Sequence, residues 1–189
     1  MSKLLTGNTL NAAISEIIAQ AESKLVLLSP RIHLHHRILD LLKAKIIYPE
    51  LETMVVFGEK NRNYQKNFRP EDLNFFKTFP NIEIRHEPRL SVCYYANEKE
   101  AVMTSMTLTA EEHDNSIDTG VMLKSNLLNN IFGESLDTQA YDFFNKVIEN
   151  SELLYKNAPK YNKTLLGKKY QGSQVELDKI PVSNNLFDD

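Results

Sequence analysis

The chain has 189 residues, 42% hydrophobic and 25% charged, which suits one domain with a real core. Its single cysteine excludes an internal disulfide, and a net charge of -3 argues against a protein wrapped by nucleic acid on all sides while leaving room for one basic face. No apolar run approaches membrane-spanning length and the start, MSKLLTGNTL, lacks a signal-type apolar core, so a cytoplasmic protein with no membrane association is expected.

Thr9 or Asn8 can cap a helix from about Leu10 to Ser23, with Leu10, Ile14, Ile17, Ile18 and Ala21 on one side. Lys24 to Ser29 reads as a short buried strand closed by Pro30. RIHLHHR then leads into a second helix through about Ile46, which Pro49 stops, and Thr53 to Phe57 gives a second strand. Pro70 sits at the first position of a helix from about Glu71 to Thr78.

Asn81 to His86 alternates as a third strand. Leu90 to Tyr95 and Ala101 to Ser105 form a hairpin turning at Asn97 to Lys99, and Thr119 to Leu123 adds another strand. Asn129 to Leu154 supplies a long C-terminal helix. From Asn157 onward both alternation and helical spacing fail. Residues 1–155 are therefore expected to form the domain, and residues 156–189 a C-terminal arm or flexible tail. Helix and strand in turn, then clustered strands, give an α/β class with a mixed sheet flanked by helices.

The stretch LSVCYYANEKEAVMTSMTL, Leu90 to Leu108, resembles the motif of the phospholipase D superfamily: a His, a Lys two residues on, an acidic residue five further, then a Gly/Thr-Ser-x-Asn turn. Those positions fall here at Ser91, Cys93, Glu98 and Thr104 to Thr107. DNSIDTG downstream is similar to the family's Asn-x-Glu-x-Gly element, with Asp118 in the acidic place and Gly120 retained. The resemblance runs from about Asn8 to Asn150 and implies one phospholipase D-like half-fold of the short-chain type, which pairs two motif copies in a homodimer.

In that family the histidine takes the phosphoryl group, the lysine and asparagine hold its oxygens, and the acidic residue supports the imidazole. Ser91 is a weak nucleophile without an adjacent base, Cys93 replaces a cation with a neutral thiol, and Thr107 lacks the amide donor. Glu98 and Ser105 keep similar chemistry. The expectation is a catalytically inactive or strongly impaired domain that serves binding or assembly. The alternative is a phosphodiesterase or nuclease whose site is rebuilt on His86, His113 or Cys93.

Candidate binding residues are His86, Arg89 and His113 around the motif, with Lys60, Arg62, Lys66 and Arg69, where Tyr64 and Phe68 interleave with the cations. Lys160, Lys163, Lys168 and Lys169, with Tyr161 and Tyr170, repeat that composition near the C-terminus. His33, His35 and His36 match no zinc signature, so neither metal nor cofactor is expected. Nucleic acid and protein both stand as candidate partners.

Overall fold

The computed structural model describes residues 3–58, 68–109, 117–124, 135–164 and 167–180. A short strand, β1 (Lys3–Thr6), turns directly into α1 (Gly7–Gln20), helped by the positive φ of 49° at Gly7. The helix starts earlier than the capping pattern suggests. The cap is Thr6 rather than Thr9 or Asn8, and Thr9 answers it from inside the first turn: its Oγ1 accepts from Thr6 N (3.2 Å) and donates to the Thr6 carbonyl (2.7 Å).

β2 (Lys24–Ser29) is followed by a two-residue strand, β3 (Ile32–His33), and by α2 (His36–Lys43). β4 (Glu52–Phe57), α3 (Pro70–Phe76) with Pro70 at its first position, and β5 (Ile82–His86) come next. The hairpin is β6 (Cys93–Asn97) and β7 (Glu100–Thr104), then β8 (Leu108–Thr109), β9 (Thr119–Lys124) and α4 (Leu136–Asn150). Two long strands, β10 (Glu152–Thr164) and β11 (Gly167–Asp178), close the order.

Nine strands form one sheet in the order β1-β9-β7-β6-β2-β4-β5-β10-β11, and β3 pairs with β8 in a second, small one. β2, β4 and β5 run parallel, and the remaining pairings of the large sheet are antiparallel. The central strands are buried on both faces, so consecutive residues serve different cores. Leu25 and Leu27 of β2 join Val55, Ile84, Tyr95 and Val102 beneath α1. Val26 and Leu28 join Val56, Tyr94, Ala96 and Leu123 beneath α4. Phe144 of α4 stacks on Tyr94 with ring centroids 4.1 Å apart, anchoring that helix.

Two expectations are corrected. β6 starts at Cys93 rather than Leu90, because the chain turns at Pro88 and Arg89 and Leu90 N donates to the Glu87 carbonyl (3.0 Å). The last helix ends at Asn150 rather than Leu154: Ser151 turns the chain, its hydroxyl donating to the Ile148 carbonyl (2.6 Å), and Leu153 and Leu154 belong to β10. The expected start of that helix, Asn129 to Glu134, lies outside the described residues.

The stretch after Lys156, expected as a C-terminal arm or flexible tail, carries no periodicity legible in the sequence. Through residue 178 it is a two-stranded ribbon. Its inner part pairs with β5, from Glu152 opposite His86 to Asn157 opposite Ile82. A register shift there lets Leu154 and Tyr155 both bury, which breaks the alternation. Residues 158–164 pair with β11 alone, and 158–163 are exposed or half-buried, so no buried apolar face marks them as strand.

Candidate functional site

β2, β4 and β5 end at Ser29, Phe57 and His86 on one rim of the sheet. β6 leaves from that rim at Cys93, β7 returns to it at Thr104, and β9 leaves it at Thr119. The carboxyl ends of parallel strands are where open α/β sheets bind ligands, and the motif lies there.

Cys93 is 1% exposed and its Sγ lies 3.9 Å from Ser29 Oγ. The Ser29 hydroxyl donates to the Arg31 carbonyl (2.6 Å) and accepts from Leu108 N (3.1 Å), tying the ends of β2 and β8 together over the thiol. Two residues along β6, Tyr95 points into the same core, is fully buried and donates to the Met106 carbonyl (2.8 Å). Burial first, then the neighbouring Cys93, push its phenol well above the ordinary range. This floor is neutral and closed.

The loop after β7 is built from hydroxyls. Thr104 Oγ1 donates to the Thr119 carbonyl (2.7 Å) and accepts from Met106 N (3.0 Å), while Ser105 Oγ donates to Asp118 Oδ1 (2.7 Å). Ser105 N donates to the Thr119 carbonyl (3.1 Å), completing a clamp between β7 and β9. Thr107 Oγ1 shares a hydrogen bond with Thr109 Oγ1 (2.9 Å). A Cβ at Gly120 would stand 2.7 Å from Leu10 Cδ1 and 3.2 Å from the Met103 carbonyl oxygen, so glycine is what lets β9 close onto α1.

Ser91 is exposed on the loop just before β6 and makes no hydrogen bond among the described residues. Beside it, exposed Arg89 caps the buried Glu87 carboxylate, Nε to Oε1 2.9 Å. The Arg89 hydrogen bond outweighs burial and holds the Glu87 carboxyl below its usual range. His86 is 5% exposed and packs 5.1 Å from the Phe57 ring. β2 and β4 separate β5 from β6, so His86 and Cys93 are about 14 Å apart by strand spacing.

The structure thus brings Ser91, Cys93, Ser105, Thr107, Asp118, His86 and Arg89 to one rim. Glu98 goes elsewhere. It sits in the β6–β7 turn, about 16 Å along the strand from Cys93, where its carboxylate accepts the backbone N–H groups of Glu22, Ser23 and Lys24 at 3.3 Å. Burial raises its pKa, but its own backbone N–H together with those donors outweighs it and leaves the carboxyl below the ordinary value. Arg69 is tied into structure: Nε donates to the buried Asp72 (2.8 Å) and Nη2 to the Leu34 carbonyl (3.1 Å), pinning α3 to the chain before α2. Lys60, Arg62, Lys66 and His113 lie outside the described residues.

Two rim features escape a reading of the sequence. Ser29 ends a strand before a proline, and nothing local marks it as the hydroxyl bridging three segments. The β3–β8 pairing sets His33 beside Thr109, a contact between residues far apart in the chain. Among the described residues no group of three His, Cys, Asp or Glu side chains could hold a metal ion.

No protein-family model and no curated protein matches the sequence. Solved structures do match in fold. NucT from Helicobacter pylori superposes with a TM-score of 0.61 at 9% identity, over 82% of this chain and 99% of that one. Nuc from Salmonella typhimurium, a phospholipase D family member, gives 0.56 at 12% identity over 81% and 98% of the two chains. TrmBL2, an archaeal chromatin protein with a novel mode of DNA binding, gives 0.53 at 13% identity, over 80% of this chain and 53% of its own. Phosphatidylserine synthase from Haemophilus influenzae gives 0.60 at 13% identity, over 81% of this chain and 40% of its own. The chain has the phospholipase D-like fold, and the expected α/β class with a mixed sheet flanked by helices is what the structure displays. Among the described residues no helix is long and apolar enough to cross a membrane.

Proposed function

We propose that this chain is a phospholipase D-like module whose phosphodiesterase chemistry is lost or strongly reduced, and which serves binding or assembly as a cytoplasmic homodimer. The observation that carries the reading is the rim floor. Where the family resemblance expects a phosphate-holding lysine, Cys93 is sealed in the core at 1% exposure against Ser29 and Tyr95. A thiol there supplies neither charge nor access. Ser91 in the nucleophile position has no base within hydrogen-bond reach among the described residues.

Strand order weighs against rebuilding the site on His86, since about 14 Å separates it from the motif strand. The hydroxyl clamp of Thr104, Ser105 and Asp118 supports a frame kept for shape. Pairing of two copies is supported by length: the match fills 99% and 98% of the NucT and Nuc chains but 40% of the phosphatidylserine synthase chain, as expected of one half-fold. A nucleic-acid partner draws support from TrmBL2, a DNA-binding neighbour in fold.

The test is a titration with labelled single- and double-stranded DNA and RNA in which shift and cleavage are read on the same gels. Binding without cleavage is the expected result. Cleavage that survives further purification and disappears in His86→Ala would overturn the reading in favour of a rebuilt nuclease.

A further inference from the structure

At the opposite end of the sheet from the rim, β10 passes Ile82, the first residue of β5, and continues with β11 as a two-stranded ribbon. Residues 158–164 extend about 23 Å at roughly 3.3 Å per residue. Residues 158–174 contain Lys160, Lys163, Lys168 and Lys169 and no acidic residue, in a chain whose net charge is -3. Positive charge is therefore segregated here rather than diluted.

The register makes the segregation costly. Lys163 lies directly opposite Lys168, with Lys169 beside it opposite Asn162. Like charges facing each other across a strand pair destabilise it unless a counter-charge is supplied. All four lysines are exposed, and among the described residues none has a carboxylate within ion-pair distance. By contrast Lys156, nearer the body, is paired with both Glu83 (3.6 Å) and Glu176 (3.2 Å). On the face shared by Lys163 and Lys168, Tyr161 opposes Tyr170 with ring centroids 5.9 Å apart.

We propose that this ribbon is a nucleic-acid backbone contact surface, separate from the rim. A two-stranded β-ribbon fits the major groove of B-DNA, about 12 Å wide, and unpaired lysines gain by releasing the phosphate counterions. Exposed Tyr170 and the uncharged donors Asn162 and Gln171 beside the lysines suit phosphate and base edges. Such binding gives the module reading above a partner class, and it rests on that reading only in treating the chain as a binding protein.

The test measures anisotropy of a labelled 20-base-pair duplex with the full chain between 50 and 200 mM salt, against Lys163→Gln/Lys168→Gln/Lys169→Gln. Removing the Lys163–Lys168 repulsion does not threaten the ribbon's fold, and circular dichroism checks it. The expected result is weaker binding and a salt slope shallower by about 2 to 3, near 0.9 per phosphate contact removed, with the corresponding triple arginine variant retaining the wild-type slope. Equal slopes in wild type and glutamine variant, no duplex binding by the wild type, or binding to phosphatidylserine vesicles in place of duplex would each overturn the proposal. None of these readouts involves hydrolysis, so the rim reading stands or falls separately.

Discussion

Ser29 Oγ lies 3.9 Å from Cys93 Sγ, with its hydroxyl already donating to the Arg31 carbonyl and accepting from Leu108 N. The pair joins the parallel half of the sheet to the motif hairpin, and both residues are sealed from water. A longer, charged side chain at Cys93 would have to break this bridge or displace the chain above it.

Restoring family-type residues should therefore cost stability before it yields chemistry. Cys93→Lys forces a charged side chain into the sealed core and is expected to destabilise by about 3–5 kcal/mol in urea unfolding. Ser91→His, at an exposed position, should change stability by less than about 0.5 kcal/mol and leave hydrolysis of a phosphodiester substrate undetectable. Robust turnover by Ser91→His alone would refute this account of the rim.

Sealing has a chemical signature as well. In native buffer the single thiol should react with a disulfide reagent at least about a hundredfold more slowly than in denaturant, since a thiol sealed in the core is shut off from the reagent. Fast labelling of the native protein would place Cys93 in an open cleft.

At the other end of β6 the charge is real and pH-dependent. Glu98 has a folded pKa below its ordinary value, so its contribution is fully present above an unfolded pKa of about 4.3 and is lost as pH falls through the lower folded value. Glu98→Gln should cost about 1 kcal/mol at pH 7, because its backbone hydrogen bonds are long at 3.3 Å. As pH falls through that lower folded value the variant and wild type should converge. A gap that persists in acid, once the carboxylate is protonated in both states, would show that packing, not charge, is lost. Glu87, also held low, loses its contribution as pH falls through its own lowered value, equally in both proteins.

The short-chain reading predicts assembly. Sedimentation velocity at micromolar concentration should give a species of about twice the 21.7 kDa chain mass. A monomer alone at that concentration would leave each half-fold unpaired.

Much of the frame is legible in the sequence because burial imposes a period. KLVLLS and TMVVF are continuous apolar runs, as strands covered on both faces require, and Pro70 marks the start of α3 where it stands. β1 is not legible, since only Leu5 of its four residues is buried. The outer ribbon is illegible for the same reason on a larger scale: β11 is exposed along most of its length, so its lysines and Tyr170 carry no alternation. At the rim, local spacing placed the motif, but Ser29 and Tyr95 matter through contacts with Leu108 and Met106, distant in sequence. Glu98 shows the reverse hazard. Its place in the motif suggests an imidazole partner, whereas strand direction carries it to the far end of the hairpin.

Gly58 links the second parallel strand to the loop that carries Ser91. Its N–H donates to the Pro30 carbonyl (3.2 Å), and a Cβ there would stand 2.9 Å from the Leu90 carbonyl oxygen and 3.2 Å from Leu90 Cβ. Both obstacles belong to a segment held in place: Leu90 N donates to the Glu87 carbonyl, and Leu90 itself is buried. The added methyl must therefore move backbone rather than a free side-chain end. Gly58→Ala is expected to cost about 1–3 kcal/mol, the range for overpacking. Because the displaced loop runs into Cys93, the same variant should also raise the reactivity of the native thiol. Urea unfolding and thiol labelling check the two effects separately. Lost stability with unchanged labelling would mean the strain is absorbed on the Pro30 side, leaving the floor of the rim shut.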